Sequence, residues 1–170
     1  MMTPDLLARE LTHNKETLLT LFTSLPEERR NWSTPQGWSA TIILAHLLDE
    51  EKEDFRTRLK MTLEEEGKTW PSINPEAWVS ERAYANKNFD LTLEAWKEER
   101  ERSVQWLESI SSWKGEKSYD HPHFGTFTLH RLACNWIAHD LLHIKQLVRL
   151  KYDHLAQWDL YNLNYAGTWT

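Results

Sequence analysis

His139 and His143 stand four residues apart in the segment HDLLH, within a stretch patterned as a helix. On an α-helix this spacing sets two imidazoles about 40° apart around the axis and about 6 Å apart along it, so both can reach one ion. Both fall on the stripe shared by Leu132, Trp136 and Leu150. They therefore face the core, where an unsatisfied polar group is costly. One buried histidine is usually explained by a hydrogen bond, whereas two stacked on one core face need a shared partner, a wet cavity or a metal. The spacing alone is not specific, because it lacks the glutamate of the zincin helix. The third candidate ligand is His46, set among Ile42, Ile43, Ala45 and Leu47. Taken singly it reads as a satisfied core residue. Taken together, three neutral imidazoles from two packed helices make a three-coordinate site with a position left open for water or substrate.

Glu50 lies one turn beyond His46 on nearly the same face. It is a candidate fourth ligand, an orienting group or a catalytic general base, with a surface ion pair as the plain alternative. Asp140 and Gln146, each one turn from His143, are secondary candidates for orienting a ligand. His121 and His123 flank a proline and read as loop or pocket-rim residues, while His13, His130 and His154 read as surface residues. Cys134 falls about 140° around the helix from His139 and is expected to point away from the site as a buried structural thiol.

The elements that must position these groups are helices. Leu7, Leu11, Leu18, Leu21, Phe22 and Leu25 recur at helical intervals from Thr3 to about Leu25. Pro26 and the segment 33–37 break the pattern. Ser39 is placed to cap a second helix that runs to about Glu66. Residues 67–88 resist assignment as one element. Asn74 and Pro75 look like the cap and first turn of a short helix reaching Tyr84, and the length of the segment raises the reading of a lid over a pocket against that of a connector covering core surface. Asp90 is expected to cap a third helix carrying Leu93, Trp96, Leu107 and Ile110 inward. The fourth runs from near Thr128 to about Tyr152, and the tail from His154 to Thr170 adds a short helix at most. No alternating strand pattern is evident. The expectation is one all-α domain over 1–170, a four-helix bundle with its site built from inward-facing side chains.

The bulk composition bounds the function. With 170 residues, 40% hydrophobic and 27% charged, the chain suits one globular domain. A formal net charge of −6, with basic residues interspersed among acidic ones, disfavours nucleic-acid binding. A single cysteine excludes an internal disulfide and fits a reducing compartment. The longest apolar run, 40–48, is too short to span a bilayer, so no membrane role and a cytoplasmic location are expected. Ten tryptophans exceed ordinary usage; they read chiefly as core filling, with an aromatic-walled pocket as the alternative.

Three segments carry a family resemblance: GWSATIILAHL at 37–47, FGTFTL at 124–129 and HDLLHIKQL at 139–147. In their order and spacing the chain resembles the DinB-like (DinB/YfiT) superfamily of metalloenzymes. The resemblance implies an up-down-down-up four-helix bundle, often a homodimer, with a divalent transition metal (Zn, Ni, Fe or Mn) on His46, His139 and His143. Many relatives have a further histidine where this chain has Leu142, a departure that makes the local pocket more apolar. It also implies a metal-dependent enzyme of small-molecule substrates. The foremost expectation is an S-transferase that uses a low-molecular-weight thiol in detoxification. A metal-dependent hydrolase, with Glu50 as the base, is the alternative within enzymes, and a non-catalytic metal-binding helical module is the alternative outside them.

Overall fold

The computed structural model describes residues 2–65, 67–158 and 163–169. Four long helical rods make the bundle. The first is α1 (Pro4–Thr23), followed by the single turn α2 (Glu27–Arg30). The second rod is composite: α3 (Ala40–Asp49) passes into a π-helical segment (Glu50–Phe55) and resumes as α4 (Arg56–Glu64). A short α5 (Pro75–Glu81) and a 3-10 turn (Tyr84–Asn86) precede the third rod, α6 (Phe89–Glu108). Two strands, β1 (Ser118–His121) and β2 (Gly125–Thr128), lead into the fourth rod, α7 (Leu129–Ala156).

Each rod begins where a side chain can satisfy the free amides of its first turn. Thr3 accepts from the Leu6 amide, Ser39 from Ile42 and Thr128 from Arg131. Asn88, not Asp90, caps the third rod by accepting from Leu91. Asp90 instead pairs with Arg30 at 3.0 Å. The expected end of the second rod at Glu66 lies outside the described residues, and the helix itself ends at Glu64. In the tail α7 runs on to Ala156 and a 3-10 turn (Asn164–Ala166) follows among the described residues, while the expectation for 159–162 and 170 lies outside them.

The β-hairpin corrects the expectation of no strands. Its strands are four residues long and hold register through Tyr119↔Phe127, with Gly125 at a positive φ of 72° closing the turn. What holds it is tertiary: the Tyr119 ring stacks on Trp70 at 4.2 Å, and Phe127 lies 5.7 Å from the same indole. No alternation within so short a segment could reveal that contact.

Beside a small cluster of Ala45, Trp78 and Tyr84, packing divides the interior into two large apolar clusters. One gathers Leu18, Phe22, Ile43, Leu44, Leu47, Leu93, Trp96, Leu147 and Leu150. The other gathers Leu7, Leu11, Phe55, Leu59, Leu107, Leu129, Leu132 and Trp136. Between these two sets, each rod carries polar residues inward: Asn14, Glu51, Arg100 and Asp140. Arg100 donates to both Asp140 oxygens at 2.7 and 2.8 Å and to Glu51 at 2.9 Å, and Asn14 donates to Asp140 at 3.2 Å. Arg100 also reaches the Leu11 carbonyl, and Trp136 Nε1 donates to Glu51. Burial works against the charge on Arg100, but Asp140 and Glu51 more than offset it and hold its pKa above the usual value. In the sequence Arg100 lies in a mixed charge run whose members Glu98, Glu101 and Arg102 do face outward, so nothing local marks it as buried.

Candidate metal centre

Next to the polar belt, α3 packs on α7. His46 is buried near the end of α3, one turn before the π-helical segment, and His139 and His143 lie on the inner face of α7. Their Nε2 atoms converge. His46 Nε2 is 3.2 Å and His143 Nε2 is 3.1 Å from His139 Nε2, and all three donor atoms lie within 4.8 Å of one another.

The positions of the ring protons favour an ion between the three nitrogens. An amide oxygen can only accept, so the 2.8 Å contact from His143 Nδ1 to Gln146 Oε1 places the proton on Nδ1 and leaves the Nε2 lone pair facing the cluster. His139 Nε2 has two nitrogen neighbours, and a single N–H serves one of them at most. One cation accepting three lone pairs satisfies every contact. The two spacings to His139 agree, because donors about 2.0–2.1 Å from a tetrahedral ion stand roughly 3.3 Å apart. Burial, reinforced by His143, pushes His46 down to about 3. Burial with His143, His46 and Arg100 pushes His139 down to about 2. His143 is also lowered by burial, with Gln146 and Asp140 pulling the other way. All three are neutral at physiological pH, as metal ligation requires. The arrangement fits a divalent metal whose identity it does not fix.

The rings are held by aromatic neighbours. Trp38 meets His46 edge-on at 5.0 Å and stacks on His143 at 6.4 Å, and Phe55 lies 5.0 Å from His139 with Trp136 stacked on its far side. Gln146, a secondary candidate from sequence, is the orienting partner of His143. Asp140 is committed to Arg100 instead. Gln146→Leu should keep the fold and lower metal affinity roughly 10- to 100-fold, as removal of an orienting group from a ligand histidine does. Competition against a chromophoric chelator measures this, and an unchanged affinity would contradict the assignment.

Glu50 is buried, which removes the surface ion pair as its explanation. It opens the π-helical segment, the kind of helical irregularity that recurs at functional sites. Burial, with Asp54 beside it, pushes its pKa up to about 9, so it holds a proton at neutral pH and shares it with Asp54. Burial also raises Asp54, against the pull of Arg58, whose guanidinium lies 2.9 Å away. A carboxyl group raised on folding costs stability above its unfolded value near 4.5, and the cost grows until the folded value is passed. Glu50→Gln keeps a hydrogen-bond donor without this cost. Urea denaturation of metal-free protein should find the variant gaining on wild type from pH 5 to pH 8, at up to about 1.4 kcal/mol per pH unit. An equal difference at both pH values would refute the buried proton.

Two connected spaces adjoin the centre. A cavity of about 260 Å³ has His139, Phe55, Leu132, Ala138 and Leu142 in its wall, with Asp54 and Arg58. A groove of about 790 Å³ continues from it along residues 69–76 and shares Asp54, Arg58, Trp70, His121 and Phe124. His121 and His123 thus sit at the rim. The 67–88 segment divides between both readings given to it: Thr69 to Glu76 walls the groove, whereas Trp78 and Tyr84 bury against α3. Arg82 ties the latter half down by pairing with Asp49 and Glu53, and the Tyr84 hydroxyl donates to Asp49. Cys134 is half-buried, 3.9 Å from His130 Nε2, and lines neither space. His154 is not a surface residue but lies half-buried between Trp32 and Trp158.

A helical bundle with an inward-facing three-histidine cluster is the class these features define. The family model of the DinB superfamily matches residues 10–147, and the chain belongs to that superfamily. Among solved structures it is similar to YfiT from Bacillus subtilis, described as a probable metal-dependent hydrolase with an unusual four-helix bundle topology. The match has a TM-score of 0.78 at 18% identity and covers 89% of this chain and 87% of that one, which establishes the shared fold. No curated protein matches the sequence. Among the described residues, no helix is long and apolar enough to cross a membrane.

Proposed function

We propose that this chain is a metal-dependent enzyme of small-molecule substrates, with His46, His139 and His143 as ligands of one divalent transition metal and thiol S-transfer as its reaction. The observation that carries the reading is the convergence of three unprotonated imidazoles, of which His139 stands in the wall of a largely apolar cavity. A divalent ion held there supplies Lewis acidity and an open position at which a low-molecular-weight thiol is acidified toward its nucleophilic form.

The chain's own residues do the rest. Gln146 fixes the tautomer of His143, and Phe55 with Trp136 keeps bulk water from His139. Asp54, at the cavity wall, is the group placed to take up the thiol proton. Glu50 is the proton-holding half of the same carboxyl pair, so its proposed catalytic part is to donate a hydrogen bond that keeps Asp54 available as the carboxylate receiving the thiol proton. No cysteine or serine of the protein is needed as a nucleophile. The exposed Leu141, Val148 and Leu155 recur every seven residues along α7 and favour a homodimer, which sedimentation would reveal.

The test measures consumption of cysteine or 2-mercaptoethanol with monochlorobimane, with zinc, nickel, iron or manganese supplied singly. Conjugation by the loaded protein, abolished in metal-free protein and in His46→Ala, supports the reading. Metal binding without conjugation leaves the binding module. Hydrolysis is the second reading, favoured by the structural likeness to YfiT, and a panel of ester, amide and phosphate substrates under the same metals tests it.

A further inference from the structure

The cavity beside His139 has a size and a charge balance that narrow its occupant. Apolar cavities of roughly 150 Å³ already hold benzene, so about 260 Å³ accommodates a substituted ring or a short branched chain. Its walls are Phe55, Phe127, Leu132, Ala138 and Leu142, and Phe124 of the hairpin turn stands at its mouth. The two charged groups in the wall, Asp54 and Arg58, are spent on each other at 2.9 Å, and Arg58 lies over the Trp70 indole at 5.0 Å. No charge is left over for an ionic ligand. Leu142 and Phe124 remain 65% and 67% exposed at the opening, so a ligand that covers them gains by removing apolar surface from water. The neighbouring groove differs in character, with Thr69, Ser72, Asn74 and Glu76 offering hydrogen bonds along its length.

We propose that the cavity binds a neutral, ring-sized apolar group of the substrate, whose polar remainder runs along the groove of residues 69–76, and that Ala138 and Leu142 determine this preference. The inference deepens the function proposed above and rests on it only for the statement that the reacting atom lies toward His139. Position 142 matters because it is one helical turn from Ala138 on the same face, so the two side chains form adjacent parts of one wall. A charged or bulky replacement at either acts on the cavity directly.

Benzyl alcohol, benzylamine and benzoate, three probes of one size and different charge, are titrated calorimetrically into metal-free protein, where no ion can recruit the carboxylate. Benzyl alcohol should bind saturably, and each charged probe at least about tenfold more weakly. Ala138→Trp, which fills the cavity, and Leu142→Asp, which charges its rim, should each weaken benzyl alcohol about tenfold or more without changing zinc stoichiometry. Both positions are exposed enough to tolerate replacement, and Leu142→Asp alone suffices if Ala138→Trp does not fold. Equal or tighter binding of a charged probe, no saturable binding of benzyl alcohol, or unaltered binding by a folded variant overturns the proposal. The two readings fail separately: benzyl alcohol bound by protein that takes up no zinc refutes the metal centre alone, and zinc bound by protein blind to benzyl alcohol refutes the cavity alone.

Discussion

His139→Ala should leave the purified protein without stoichiometric metal, with an affinity loss of roughly a thousandfold or more, beyond the 10- to 100-fold that orienting groups command. His139 is the central donor, because its Nε2 is the one within 3.2 Å of both others. Without it, His46 and His143 remain as two ligands on different helices, too few for a centre built on three. Elemental analysis of tag-free protein measures the loss, and metal retained at one equivalent would show that the centre lies elsewhere. The variant also carries a pH signature in the metal-free state. His139 is a base whose folded pKa lies far below its unfolded value of 6.5. Below pH 6.5 the unfolded chain therefore binds a proton that the folded chain refuses, and stability falls as pH falls. Alanine removes this contribution, so wild type should lose ground to the variant by about 1.4 kcal/mol per pH unit below 6.5. A constant difference between pH 7 and pH 5 would mean that His139 is not held neutral.

The second large effect lies in the polar belt. Arg100→Leu removes the one cation that Glu51 and Asp140 share, and all three side chains are about 1% exposed. Two buried carboxylates would then be left without compensation, and breaking a buried pair in this way costs about 3–5 kcal/mol. Total stabilities of single domains run to about 5–15 kcal/mol, so the variant should unfold at much lower urea or fail to accumulate. Replacing Glu51, Arg100 and Asp140 together with apolar residues should cost less than Arg100→Leu, because no charge is then stranded. A loss below about 1 kcal/mol for Arg100→Leu would show that water reaches the belt. The belt also bears on the centre, since Asp140 adjoins His139 in sequence and fixes the face that α7 presents.

Local rules of helix formation were legible in the sequence because they act over a few residues. The apolar stripes of the four rods, the cap at Ser39 and the short helix after Asn74 all follow from spacing and hydrogen-bonding side chains. The i, i+4 pair His139 and His143 was readable for the same reason, since one helix fixes their relation. His46 could be offered from sequence as a third candidate, which the family resemblance reinforced, but that it meets the pair needed the packing of α3 on α7. Other features only the tertiary structure decided. Arg100 sits in a charge run identical in composition to a solvated face, and only the approach of Glu51 and Asp140 from other rods makes it a buried cation. The hairpin held by Trp70 arises from contacts between residues far apart in the chain, and the π-helical segment that contains Glu50 and Asp54 left no mark in the apolar spacing. A side chain's type and spacing set which chemistry it can do, but whether it is buried, charged or paired depends on neighbours that only folding brings to it.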